Sequence, residues 1–493
     1  MMTTEAKPEA GRPFRTDIPG RLDRLSWSRW HWLVVVALGV TWVIDGLEVT
    51  LVGAISTVLV EPGTLHLAPS EIGLLNTAYL VGAVLGALVF GYLTDKFGRK
   101  KLFTVTLGLY LAAALLTAFS WNFTSFAVFR FLTGAGIGGE YAAINSAIDE
   151  LIPARFRGWA DLAINGTFWL GAAAGSLSTV LLLDPQLLPI NLGWRLGFGL
   201  GAGVGLGIIF LRHWVPESPR WLLIHDRGEE AERVVTEIER QAEERSGARS
   251  LARPSEEGVI TIRPGMRVGF ASIVTTLVRT YPKRTVLCLA LVMSQAFLYN
   301  GVAFSFGLIL RQFYRVAPDR VGLYLLPFAL TNFLGPLLLG RLFDTVGRKP
   351  MIAGTLAVSA TLLTLDAWLF ASGRLAAGGQ TALWAAIFFF ASAAASAAYL
   401  TVSEIFPLEM RGLVIALFYA VGTGLGGPLA SWLFGWLIGT GSRRLLSYGD
   451  LLAAGLLFAT AVVVAVFGVK AERASLESVA RPLSATEETL RPA

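Results

Sequence analysis

Twelve apolar runs of about twenty residues, separated by short polar breaks, constrain this chain more than any other feature. One such run crosses the roughly 30 Å hydrocarbon core of a bilayer as a single α-helix. The runs fall at about 32–60, 71–94, 102–120, 123–148, 157–181, 192–214, 285–310, 321–341, 350–371, 380–402, 411–438 and 449–469. Only 15% of the 493 residues are charged, against about 25% in soluble domains. The chain therefore lacks the polar surface that water would demand, and lipid must be the solvent for most of it. Inside lipid every backbone polar group needs a partner within the protein, which makes the runs helices. The expected fold class is an all-α membrane protein of about twelve transmembrane helices.

An even number of spans puts both termini on one side. Most of the 41 Lys and Arg lie in the tails and the even-numbered loops. The opposite loops hold Arg195, Arg311, Arg315, Arg320, Arg374, Arg443 and Arg444, and Arg130 alone falls within a span. This asymmetry predicts cytoplasmic termini in a cell membrane. It also accounts for the formal charge of +6 as an orientation signal and argues against a nucleic-acid partner. Residues 1–30, interrupted by Pro8, Pro13 and Pro19, read as a polar tail and not as a cleavable signal. The single Cys288 excludes a disulfide framework, and four scattered histidines offer no metal-ligand spacing. With no phosphate-binding loop or nucleophile motif either, the expectation is no enzyme, no cofactor and no metal.

The loops reveal an internal repeat. Gly91-Tyr-Leu-Thr-Asp95-Lys-Phe-Gly98-Arg99-Lys100 follows the second span, and Gly340-Arg-Leu-Phe-Asp344-Thr-Val-Gly347-Arg348-Lys349 follows the eighth. Glu150-Leu-Ile-Pro153 leads to Arg157-Gly158, as Glu404-Ile-Phe-Pro407 leads to Arg411-Gly412. The chain thus reads as a tail (1–30), an N-terminal six-helix bundle (31–214), a linker (215–282), a C-terminal six-helix bundle (283–470) and a second tail (471–493). Such a pair of related bundles suits rocking about a central site. The linker carries an amphipathic helical pattern from Gly228, with Val234, Val235 and Ile238 on one face. It is read as a connection between the bundles. Charge-assisted pairs among Asp95, Arg99, Glu150 and Arg157, with Asp344, Arg348, Glu404 and Arg411, are expected to latch the cytoplasmic side when it closes.

The doubled Gly-x-x-x-Asp-x-x-Gly-Arg-Lys loop resembles the signature of the major facilitator superfamily, and the resemblance extends over about 30–470. Pro216-Glu-Ser-Pro-Arg-Trp-Leu222 and Ser403-Glu-Ile-Phe-Pro407 resemble its sugar-porter and organic-ion branch. That resemblance implies alternating access with a solute site near mid-membrane. Several sugar-contact positions differ. The seventh span reads Ser294-Gln295-Ala-Phe-Leu298-Tyr-Asn300, the tenth Ala395-Ser396-Ala-Ala-Tyr399, and the fifth Asn165-Gly166. Fewer directional hydrogen-bonding groups remain for a hydroxyl-rich ligand. Asp45-Gly46-Leu47-Glu48 and Gly138-Gly-Glu140-Tyr instead resemble the proton symporters of aromatic acids and other metabolites.

A carboxylate inside a span costs about 2.5–3.5 kcal/mol or more, so it usually faces a cavity with a partner. At about 1.5 Å per residue, Glu48 and Arg130 lie at similar depth, roughly 24 Å from the cytoplasmic helix ends. Asp45, Glu48 and Arg130 are therefore the candidate proton-coupling groups. Gln295, Asn300, Tyr399, Asn165, Trp169 and Glu140 are the candidate solute contacts. Asp366, near the outer end of the ninth span, reads as solvated. Gly82-x-x-x-Gly86 and Gly171-x-x-x-Gly175 read as close helix contacts. The expected function is proton symport of a small polar metabolite (an organic acid, sugar or similar compound) by a monomer in the lipid bilayer. A proton-coupled exporter is the alternative, although residues 165–179 lack the proline that exporters of the superfamily carry in the fifth span.

Overall fold

The structure, a computed structural model, describes residues 13–184, 186–212, 215–246, 259–263, 269–303 and 305–485. Among the described residues, twelve long helical rods make up the membrane part. In the N-terminal half they are α1 (Arg29–Val58), α2 (Pro69–Phe97), α3 (Arg99–Ala118), α4 (Phe123–Leu151), α5 (Arg157–Gly166, continuing as Phe168–Leu182) and α6 (Ile190–Arg212). In the C-terminal half α7 joins Pro282–Phe297 to Phe306–Tyr314, followed by α8 (Pro318–Thr345), α9 (Arg348–Ala371) and α10 (Ala377–Glu404). There α11 joins Arg411–Val421 to Gly427–Gly439, and α12 is Arg443–Phe467. Nine helices among the described residues are long and apolar enough, by length and composition alone, to span a membrane. Outward-facing side chains such as Val89, Leu177, Leu338, Trp432 and Val466 are more than half exposed, a surface stable only against lipid.

Three of the rods are not the uninterrupted helices the apolar runs suggested. The fifth breaks at Thr167, whose hydroxyl donates to Gly39 O at 2.8 Å and to Ile164 O at 2.6 Å. The seventh carries a π-helical turn at Leu298–Ala303, and α11 carries another at Gly422–Gly426.

Small residues bring the helices together. A Cβ on Gly82 would stand 2.1 Å from Phe131 O, and one on Gly86 2.1 Å from Ala135 O, so α2 and α4 nearly touch at the backbone. Gly171 does the same for α5 against α1, where a Cβ would lie 1.8 Å from Val43 O. Without a hydrophobic drive between helices in lipid, such close approach supplies the packing. The halves then meet most extensively through two equivalent contacts, α2 with α11 and α8 with α5.

The repeated charged loops gather at one face together with residues 13–25 and 471–485, called the terminus-bearing face below; the other face is called distal. Residues 13–24, part of the segment read as a polar tail, are built into this face. Strand β1 (Phe14–Thr16) pairs antiparallel with β2 (Ile260–Ile262) of the linker. A short helix, Ile18–Asp23, presents Arg21 and Arg24 to Glu239 of the linker helix Gly228–Ser246. That helix buries Ala231, Val235 and Ile238 against the N-terminal half, with Val234 half-buried beside them.

Candidate functional site

At the terminus-bearing face the repeated loops interlock with their opposite numbers. Asp95, at the end of α2, accepts from the backbone N–H groups of Gly412 (3.1 Å) and Leu413 (2.9 Å), at the start of α11. Asp344, at the end of α8, accepts from Gly158 (3.0 Å) and Trp159 (2.8 Å), at the start of α5. Each carboxylate thus caps a helix of the other half, where unpaired N–H groups and the positive end of the helix dipole favour it. Arg99 donates to Glu150 at 3.0 Å, and Arg348 to Glu404 at 3.0 Å. Arg411 crosses to Glu150 at 3.2 Å and Arg157 crosses to Glu404 at 3.6 Å. All eight side chains come together, and Glu150, Glu404, Arg157 and Arg411 are no more than 1% exposed. The structure therefore has this face shut.

Two glutamates that sequence reasoning passed over hold the loops from outside. Glu217 accepts from Arg99 N (2.9 Å) and Lys100 N (3.3 Å), capping α3, while Glu472 accepts from Arg348 N at 3.4 Å, capping α9. Their signal was present: each follows the sixth rod of its half by a few residues.

Midway through the N-terminal half, Arg130 of α4 donates to Glu48 of α1 in a buried ion pair. The guanidinium also lies 4.4 Å from the ring centre of Tyr79, and Tyr110 flanks Glu48. Asp45, one turn earlier and 1% exposed, faces Tyr141 and, across the interface, Tyr419 of α11.

Above the latch the halves meet in an aromatic layer. Trp42 lies edge-on to Tyr141 at 4.6 Å and 6.4 Å from Tyr399, and Tyr141 stacks on Tyr419 at 4.4 Å. Trp169 of α5 packs on Tyr299 at 5.5 Å and on Phe328 at 5.5 Å. Gln295 interacts with Tyr399 from α7. The Trp42 indole N–H and the Asn165 side-chain oxygen find no hydrogen-bond partner among the described residues.

Of the six candidate solute contacts, Tyr399, Trp169 and Gln295 belong to this layer and Asn165 lies at the same interface. Two point elsewhere. Glu140 is fully buried within electrostatic reach of Tyr110 in the N-terminal half. Asn300 donates back to Ala296 O at 2.9 Å within the π-helical turn and packs on Gly427. Trp42, Tyr141, Tyr299 and Tyr419 were missed, because an aromatic residue in an apolar span carries no mark of which way it faces. Asp366 is a correction. It is 1% exposed and accepts from Gln380 and Trp384, so it is not solvated.

This arrangement, two six-helix halves around a polar and aromatic mid-layer with a charged latch at one face, is that of the major facilitator superfamily. The family model "Sugar (and other) transporter" matches residues 35–483, and the chain belongs to that family of membrane transporters. The chain is 26% identical over 468 residues to the niacin transporter NiaP of Acinetobacter baylyi, covering 94% of this chain and 99% of that one. It is 32% identical over 392 residues to solute carrier family 22 member 7 of Bos taurus, covering 76% of this chain and 65% of that one. Among solved structures it superposes with a TM-score of 0.71 on the proton:xylose symporter XylE bound to 6-bromo-6-deoxy-D-glucose, at 18% identity over 92% of this chain and 98% of that one. A partially occluded inward-open form of the xylose transporter XylE from E. coli gives a TM-score of 0.63, at 19% identity over 88% of this chain and 97% of that one.

Proposed function

We propose that this transporter is a proton symporter for a small polar metabolite, and that its halves, about 31–214 and 283–470, rock in alternating access. The observation that carries the proposal is the buried Glu48–Arg130 pair beside Asp45. Removing either partner from such a pair costs about 3–5 kcal/mol, because the other charge is left uncompensated. Protonation of Glu48 has the same consequence for Arg130, unless an anion replaces the carboxylate. A proton on Glu48 and a solute carboxylate at Arg130 thus favour each other, which is thermodynamic coupling.

The layer of Trp42, Tyr141, Tyr399 and Tyr419 offers flat ring faces, each with a single polar group at its edge. An organic acid carrying a ring fits this chemistry better than a sugar, and the likeness to a niacin transporter supports that reading. Asp95, Arg99, Glu150, Arg157, Asp344, Arg348, Glu404 and Arg411 act as the cytoplasmic latch. The termini and the linker face the cytoplasm of a cell membrane, and one chain holds both halves, so a monomer suffices.

The test is uptake into vesicles under an imposed pH gradient. Asp45→Asn and Glu48→Gln should each lose uphill accumulation while keeping solute exchange. Full pH-driven accumulation by both variants would remove the proposal.

A further inference from the structure

The linker ends in a short helix that neither the latch nor the aromatic layer uses. Phe270–Thr275 is α-helical and continues through a π-helical turn at Thr276–Thr280, just before Pro282 opens α7. The segment is apolar. At about 1.5 Å per residue it is roughly 17 Å long, too short to cross a hydrocarbon core of ~30 Å.

Its inner edge is fixed to the protein. Ile273 and Leu277, both 3% exposed, join the core of the C-terminal half. The Thr285 hydroxyl of α7 donates to Leu277 O at 2.8 Å, which folds the segment back against the base of that rod. This base lies at the terminus-bearing face, where Arg284 donates to Val479 O at 3.0 Å.

The outer edge is bare. Phe270, Val274 and Val278 recur every fourth residue, one helical turn apart, and are 53%, 38% and 62% exposed. Ser272, Thr275 and Arg279 are exposed at the spacing of a separate, polar face. An apolar stripe of this kind is costly against water and marks a contact. It continues into the lipid-facing surface of the rods, since Val286 in the first turns of α7 is 48% exposed. Between the stripe and Val286 the chain places two exposed cations, Arg279 and Lys283. One apolar face, one polar face and cations at the boundary are the pattern of a helix that lies in a membrane interface. Long basic side chains there reach out to the phosphates.

We propose that Phe270–Thr280 lies in the lipid leaflet at the terminus-bearing face. Phe270, Val274 and Val278 enter the upper acyl chains, and Arg279 and Lys283 engage the phosphates of anionic phospholipids. The end of the linker is thereby anchored to the membrane where α7 begins. This anchoring holds whatever solute is carried and whether or not protons are coupled to it.

The test is a depth measurement on the full-length protein in lipid nanodiscs. Val278→Cys and Thr275→Cys are each spin-labelled; the one native cysteine, Cys288, is buried. The label at 278 should collide with oxygen several-fold more than with a water-soluble nickel chelate, and the label at 275 should show the reverse. A label at 278 that meets the chelate as freely as the one at 275 overturns the proposal. So does a label shielded from both probes, which would mean that protein covers the stripe. Should Val278→Cys fail to fold, Val274→Cys carries the same measurement. Replacing phosphatidylcholine by phosphatidylglycerol should move the label at 278 deeper, and adding Arg279→Gln with Lys283→Gln should cancel that movement. Equal depth in the two lipids, or a movement that the added substitutions leave intact, overturns the role given to the two cations.

Discussion

Gly98 holds a φ of +103°, and the Glu217 carboxylate occupies the space a side chain would need, 2.2 Å from where a Cβ would sit. Gly347, at φ +119°, faces Glu472 with a looser 3.1 Å approach. Both glycines let a glutamate reach the bare N–H groups that open the next helix. Gly98→Ala should therefore cost about 1–3 kcal/mol and Gly347→Ala less, read as a larger drop in melting temperature for the first. Equal drops would mean that strain alone, and not the glutamate contact, sets the cost. Individual residues were unevenly legible in the sequence. Depth counting along two helices put Glu48 level with Arg130, and the structure pairs them. Asp366 misled, because the groups that bury it, Gln380 and Trp384, stand 14 and 18 residues further on in another helix.

The helices themselves were announced by their length and apolar character, but not the direction each face takes. A rod that is apolar all round gives no stripe by which to orient it, so Glu140 and Asn300 could not be assigned to the path or excluded from it. A π-helical turn adds a residue and rotates everything beyond it, which the sequence of α7 does not signal. The pairing of β1 with β2 at the terminus-bearing face was equally hidden, since these strands are three residues long and separated by hundreds of residues. There Arg220 donates to Glu477 at 2.8 Å, reaches Asp23 at 3.3 Å and donates to Glu150 O at 2.7 Å. Burial alone would push the Glu477 carboxyl up. The Arg220 charge and the hydrogen bonds outweigh it and hold the group below its ordinary 4.5. The stability this pair contributes is thus present above that value and lost as pH falls through the lowered one. Glu477→Gln should expose the 471–485 segment to protease at neutral pH, and the wild type should show the same cleavage only under acid conditions. Protection of the variant at neutral pH would show that Glu477 does not anchor the segment.

For the molecule as a whole, the repeated loops carried the architecture: a motif that recurs with its acidic partners implies two related halves. What the sequence lacked was the cross-over, in which each half's aspartate caps the other half's helix. Glu150 and Glu404 each serve arginines from both halves, so neutralising them removes the cross-half pairs, which only the closed form makes. The double variant Glu150→Gln, Glu404→Gln should shift the equilibrium toward opening at the terminus-bearing face. Losing even one buried pair, at about 3 kcal/mol, is a change of roughly a hundredfold in population. Spin-label distances between the α2–α3 and α10–α11 loops would report it as a longer component, and an unchanged distance distribution would refute the latch. The coupling itself is tested most directly by watching protons. With purified protein in liposomes and an inward gradient of a ring-bearing acid that stabilises it against heat, the lumen should acidify as solute enters, and Glu48→Gln should abolish the acidification but not exchange. Solute entry with no proton movement, in wild type as in the variant, would contradict the account.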